Sequence, residues 1–436
     1  MTSTSPPHSK QKLQHAMRSS LMWKFRFYGF FKNLRFFEPF LYIMLLALDI
    51  SLFQIGLLVA IRETFIFLFE IPSGILADKF GKKRELMVCF IFYIISFVFY
   101  FLGVNPLQDR FRMLWLVAAS IFFGLGESFR SGTHKAMEML WMDREGITDF
   151  KTHIYGSSRQ YSLLGSALSA VLAILLVIYI PANQWIFLIT IIPYLLDLIL
   201  IASYPAYMND HTPRTQGYWS QMKTGFTEIG DIFKSPKLRL AIFSSATYDA
   251  IFKTLKDYIQ PIILLFVADL LITLGQDVSQ EEVLISIILG GLYAIFYLIS
   301  SFSSKYAYKF KAIFHHSKKA MDVLFDLFAF VLFLEAFFIW LKIPFVVVLM
   351  YLLIYIFENF RRPIFVDYMG DIMPKDKRAT ILSVESQVKA FCVLFFAPLF
   401  GLIADLLSIP ILFLVLSILM VLWNLVYLRK DSSNSI

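Results

Sequence analysis

Cysteine is nearly absent. Cys89 and Cys392 are the only two in 436 residues, and both sit in apolar runs far apart. That excludes a disulfide framework and a CxxC redox or metal site, and both read as small core hydrophobes. Charge is scarce as well, at 17% of residues where a soluble domain carries about 25%. The seven histidines fall mostly in the N-terminal tail (His8, His15) and in polar loops (His153, His211, His315, His316). None has HExxH or Cys/His ligand spacing, so no metal site is expected. Residues 1 to 30 are polar and basic, with no apolar core followed by a small-residue cleavage site. No signal peptide is expected, and targeting falls to the first spanning helix. P-loop, GxSxG and GxGxxG motifs are missing too; Gly124-x-Gly126 is followed by Phe129 where a third glycine belongs. Those absences argue against a membrane-embedded enzyme such as an acyl or glycosyl transferase, and no cofactor is expected.

What the chain has is apolar residue, 58% of the total, gathered in runs of about 20 separated by short charged stretches. This is the composition of a membrane protein, and it excludes a soluble globular enzyme. With 47 Phe, 21 Tyr and 7 Trp, packing between helices and against lipid is dominated by rings. Twelve apolar segments are expected, at 33–52, 54–77, 85–103, 113–141, 154–180, 184–204, 239–268, 283–304, 320–341, 345–370, 379–405 and 408–428. Each is about long enough to span ~30 Å of hydrocarbon as a helix, and nothing alternates as barrel strands do.

Lys and Arg set the orientation. Alternate connections hold 28 of them, the opposite set only Arg110, Arg112 and Lys342. This positive-inside bias places both termini in the cytoplasm of a bacterial-type inner membrane. The acidic connection with Asp269, Asp277, Glu281 and Glu282 then falls outside, and the net charge of +8 is a topology signal, not a nucleic-acid footprint.

A polar stretch at 205–238 is the one long interior loop. It predicts a cytoplasmic tail (1–32), a six-helix half (33–204), the central loop, a second six-helix half (239–428) and a short C-terminal tail (429–436). The halves align. Phe37-Glu38-Pro39 matches Ile259-Gln260-Pro261, Glu127-Ser128-Phe129-Arg130 matches Glu358-Asn359-Phe360-Arg361, and Arg159-Gln160 falls opposite Ser386-Gln387. Such internal symmetry is what transporters built from repeats show, with substrate handled at the repeat interface near the midplane.

After the second segment comes Gly74-Ile75-Leu76-Ala77-Asp78-Lys79-Phe80-Gly81-Lys82-Lys83-Arg84, of the form GxxxDKxGKKR. Gly74 lets the helix end pack closely, Asp78 is able to accept hydrogen bonds from a facing helix N-terminus, and Gly81 turns the chain. With twelve helices, cytoplasmic termini and a central loop, the sequence resembles the major facilitator superfamily over about residues 33–428. The resemblance implies an all-α fold of two pseudo-symmetric six-helix bundles, a rocker-switch transport cycle, a monomeric functional unit, and a conformational latch at Gly74, Asp78, Lys79, Gly81, Lys82, Lys83 and Arg84. The second half departs, since Ser301-Phe302-Ser303-Ser304-Lys305 stands where Gly-x-x-x-Asp would repeat. The fifth helix also lacks the Gly-Pro pair usual in drug-proton antiporters of this superfamily, keeping Gly165 among Ser166, Ala167, Ser169 and Ala170.

Ionisable residues inside predicted spans carry the functional expectation, because each costs about 2.5–3.5 kcal/mol at a helix centre. Glu127 and Glu358, repeated in both halves, are the leading proton-coupling candidates. Glu38 follows because Pro39 beside it interrupts helix hydrogen bonds, and Asp249 and Glu385 complete the set. Arg62, Arg130, Arg159, Lys253, Arg361, Gln387 and Lys389 are the substrate-cavity candidates. Asp249, Lys253 and Asp257 fall at i, i+4, i+8 and are expected within pairing reach, as are Glu385 with Lys389. Static ion pairs that set helix register are the competing reading. The expected function is secondary active transport of a small molecule, exported in exchange for protons. Uptake by symport and uniport are the alternatives, and a non-transporting sensor the rival class. Expected partners are the small-molecule substrate, protons and membrane lipid, and not nucleic acid.

Overall fold

The computed structural model describes residues 7–130, 132–180, 182–209, 230, 232–274, 281–373 and 378–425. Most of the expected central loop and all of the expected C-terminal tail lie outside them. Every regular element among the described residues is a helix. Nine helical stretches among them are long and apolar enough to cross a membrane. The remaining three predicted segments are helices that are interrupted or short.

The first predicted span is interrupted. Helices α1 (Pro7–Arg18) and α2 (Ser20–Lys32) precede it, and α3 (Leu41–Leu46) follows a run of turns at 33–40. The helical part of this span therefore begins well before the predicted residue 33. Phe30 to Phe37 are apolar enough to read as continuous, yet Asn33 ends α2, its side-chain Nδ2 donating to the Gly29 carbonyl at 2.6 Å. Pro39 has no N–H to donate to the Arg35 carbonyl and disfavours helix at Glu38, which keeps the break open. The seventh predicted span is broken in the same way. Helix α10 (Pro236–Leu255) stops, residues 256–258 turn, and α11 (Ile259–Leu274) restarts with Pro261 in its first turn, where a missing N–H costs little. The aligned Glu38-Pro39 and Gln260-Pro261 pairs thus sit at two helix breaks.

Intervening spans are continuous or nearly so: α4 (Leu52–Phe80), α5 (Lys82–Val104), α6 (Arg112–Arg130), α7 (Thr133–Glu145), α8 (Lys151–Tyr179) and α9 (Trp185–Ala202). The predicted fourth span is divided between α6 and α7, where Gly132 adopts φ 75°, a left-handed conformation open to glycine. In the second half follow α12 (Glu281–Phe314), α13 (Ser317–Trp340), α14 (Pro344–Ile372), α15 (Arg378–Leu406) and the 15-residue α16 (Ile409–Trp423).

Contacts divide the chain into two compact units, residues 1–38 with 68–222, and 39–67 with 223–436. In the first unit α5 packs on α6 and α9, and α2 on α8 and α9. The α2–α8 contact is close because Gly165 faces the Phe30 backbone, where a Cβ would collide with the carbonyl. Its core is aromatic: Tyr194 stands edge-on to Phe97 at 4.8 Å, and Phe37 stacks on Phe187 at 5.0 Å. In the second unit α13 packs on α14 and α16, α10 on α15, and α12 on α14.

Candidate functional site

In the first unit one carboxylate gathers two guanidiniums. Glu127, near the C-terminal end of α6, accepts from Arg35 Nη2 at 2.9 Å and from Arg130 Nε at 3.1 Å. Arg35 Nε also donates to the Tyr194 hydroxyl at 2.7 Å, and that hydroxyl donates to the Lys32 carbonyl at 2.9 Å. Arg35 lies over the rings of Phe123 (5.0 Å) and Tyr93 (5.7 Å). The i, i+3 spacing of Glu127 and Arg130 predicts their pairing. Arg35 and Tyr194 were not legible as site residues. Arg35 reads as one more cation of the basic N-terminal stretch, and only the break after Lys32 turns it inward. Glu38 lies half-buried in that break, within electrostatic reach of Arg35. Arg159 is half-buried on α8.

The second unit repeats the motif with different partners. Arg361, 1% exposed, does not pair with Glu358 three residues before it. It turns to Asp249 on α10 at 3.6 Å, donates to the Ser244 carbonyl at 3.2 Å, and lies 4.2 Å over the Tyr248 ring. Glu358 keeps a buried Oε2 with no hydrogen-bond partner among the described residues. Asp249, Arg361, Arg362 and Lys389 are all within electrostatic reach of it. Glu385, on α15, accepts from Ser245 Oγ at 3.2 Å, and buried Gln387 lies on the same helix.

The expected helix-seven trio is not formed. Lys253 donates to both oxygens of Glu63 at 2.7 and 2.8 Å, and Arg62 joins the same carboxylate at 3.2 Å. Asp257 lies beyond the end of α10, so the i+4 register fails there. It accepts from Tyr293, whose hydroxyl is also bonded to Gln260 Nε2, while Gln260 Oε1 accepts from the Tyr42 amide at 2.9 Å. Lys389 likewise forms no ion pair with Glu385 among the described residues, since the carboxylate is engaged by Ser245 on the neighbouring helix.

At the latch motif Gly81 adopts φ 98°, and Asn209 occupies the space a Cβ there would need. Asn209 Oδ1 accepts from the Arg84 amide at 3.3 Å. Lys83 caps the end of α9, donating to the Ala202 and Tyr204 carbonyls at 2.7 and 2.8 Å. Gly74 meets open space, and the Asp78 side chain lies outside the described residues. A second Gly-x-x-x-Asp stands at Gly401-Leu402-Ile403-Ala404-Asp405 on α15, away from the Ser301–Lys305 position that the internal symmetry points to. Asp405 accepts from the first two amides of α4, Leu52 at 3.2 Å and Phe53 at 2.8 Å. A Cβ at Gly401 would strike the Leu52 backbone, and one at Gly56 the Ala397 backbone. A carboxylate on a helix N-terminus satisfies orphan N–H groups and the positive end of the dipole together.

The sequence profile described as Major Facilitator Superfamily matches residues 30–384. An uncharacterized MFS-type transporter, YxaM of Bacillus subtilis (strain 168), is 24% identical over 398 residues, 90% of each chain. Among solved structures, a mutant of the nucleoside transporter NupG superposes with a TM-score of 0.72 at 12% identity, over 94% of this chain and 99% of that one. A D-xylose-proton symporter does so at 0.62 and 14%, over 93% and 96%. At these identities the two structures speak for the fold alone, and the fold is the all-helical membrane architecture expected from the sequence. On the profile match this chain belongs to the Major Facilitator Superfamily, as a multi-pass, non-enzymatic secondary transporter of a small molecule.

Proposed function

We propose that this transporter exchanges its substrate for protons, and that Glu358 carries the proton. The supporting observation is the asymmetry between the repeated acids. Glu127 is held by two guanidiniums and one carboxylate oxygen of Glu358 has no hydrogen-bond partner among the described residues. A carboxylate already neutralised by two cations gains little from a proton. One with a buried oxygen that the surrounding charges do not bond has an open place for a proton, which a change in those surroundings can fill or empty. Asp249 and Lys389 lie within electrostatic reach of both Glu358 and Glu385, and Arg361 stays fixed by Asp249 and Ser244. A single carboxylate occupied in turn by proton and substrate gives antiport, which an inward proton gradient drives as export. Both termini are cytoplasmic in this reading, and the functional unit is one chain.

The test is proton flux in everted vesicles with an acid interior, followed with a pH dye while amphiphilic cations, organic anions, sugars and metabolites are added singly. Collapse of the gradient by one compound class, absent in Glu358→Gln, is the expected result. Undiminished proton movement in Glu358→Gln removes the residue from the coupling step. Substrate and protons entering together would reverse the assignment to symport.

A further inference from the structure

We propose that the cleft around Arg26 in the first unit binds the phosphate of an anionic phospholipid from the cytoplasmic leaflet. The cleft has a volume of about 630 Å³ and lies between the α1–α2 segment and the start of α8, within the size range of small-ligand sites. Arg26 lines it and is 8% exposed. Its Nε is committed to Ser157 Oγ at 2.9 Å, while among the described residues it forms no ion pair. Its guanidinium lies 4.7 Å from the Trp23 ring centre and 5.5 Å from that of Tyr161, two rings that meet edge-on at 5.8 Å. The aromatic corner replaces part of the guanidinium's hydration, and the terminal amines stay available for a bidentate contact with a phosphate.

Three features favour a lipid over a soluble anion. From Leu164 at the cleft, exposed apolar residues continue along one face of α8 through Leu168, Val171, Leu175 and Ile178. That stripe, at helical spacing, is a track for an acyl chain whose headgroup sits at Arg26. Lys12 and Arg18 on α1 are exposed beside the same segment and add to the attraction of an anionic surface. Trp and Tyr are also the rings that settle at headgroup level.

The choice of leaflet rests on the cytoplasmic placement of the N-terminus, but the readout below depends on neither orientation nor flux. The full-length protein in mild detergent is incubated with phosphatidylglycerol or phosphatidylcholine, and bound lipid is counted by native mass spectrometry. One well-placed cation near a surface is worth ~1 kcal/mol, so the wild type retains about fivefold more phosphatidylglycerol. Arg26→Gln loses the preference. So does Gly156→Leu, which keeps the guanidinium but grows into open space at the cleft wall, where a Cβ at residue 156 meets nothing within 4 Å. If Arg26→Gln does not fold, the monodisperse Gly156→Leu protein decides. An undiminished preference in that protein overturns the proposal, as does equal retention of the two lipids by the wild type. Displacement of the lipid by millimolar inorganic phosphate assigns the site to a soluble anion and overturns the lipid source.

Discussion

Glu127 and Glu358 hold equivalent places in the two sequence repeats and yet meet opposite surroundings, which gives them separable phenotypes. Removing the charge of Glu127 strands Arg35 and Arg130 without their shared acceptor. Glu127→Gln is therefore expected to cost on the order of 3 kcal/mol of stability, read as a lower melting temperature of the purified protein, with proton coupling retained in the surviving fraction. Glu358→Gln is expected to leave the melting temperature nearly unchanged and to abolish substrate-induced proton flux. A third acid serves as control. Glu335 on α13 is wholly buried, with neither oxygen hydrogen-bonded among the described residues. Among the described residues it stands apart from the charges gathered around Glu358, so Glu335→Gln is expected to transport as the wild type does. Loss of coupling in Glu335→Gln with coupling intact in Glu358→Gln would move the proton site to α13.

The grip of α15 on the start of α4 gives a prediction about elements. Asp405 bonds two amides at once, and the glycines at 401 and 56 let the backbones meet. Asp405→Asn keeps the shape and removes the charge facing the helix dipole, a loss of about 0.3–1 kcal/mol. Gly401→Val forces the helices apart. Both are expected to speed labelling of a cysteine placed at Gln54 by a membrane-impermeant maleimide, the valine more than the asparagine. Unchanged rates in both would show that this contact does not hold the end of α4. Much of this architecture was legible in advance. Most of the predicted segments fall on helices, because apolar runs of this length have no other way to satisfy their backbone. The first, fourth and seventh are interrupted, the first where Asn33 and Pro39 end helix inside an apolar run, and hydropathy alone does not register such breaks. Spacing rules located pairs within one helix, as with Glu127 and Arg130. They missed Glu63 with Lys253, and Arg361 with Asp249, since which helices are neighbours is set by packing that one sequence does not spell out. The Gly401–Asp405 repeat is readable, but it lies in the eleventh predicted segment and not at the end of the eighth, where the internal symmetry would place it.

For the whole chain, orientation follows from a single physical term, the cost of translocating Lys and Arg near span ends. The 28 cations on one set of predicted connections against three on the other point to cytoplasmic termini. A fluorescent protein fused after Ile436 is therefore expected to fold and fluoresce in the cytoplasm. Alkaline phosphatase fused after Lys342, between α13 and α14, is expected to be active because it is exported. Lys342 is exposed there and pairs with Asp269 at 3.0 Å, so this connection carries a neutralised cation and offers little resistance to crossing. Removing that acid sharpens the test. In Asp269→Asn the cation is unpaired, yet one charge against the bias of the other set leaves the phosphatase active. A dark C-terminal fusion with an inactive phosphatase would invert the topology. The Arg26 cleft would then face the opposite leaflet, while exchange at Glu358 would still export substrate against inward protons, because antiport runs opposite to the proton flow whichever way the chain lies.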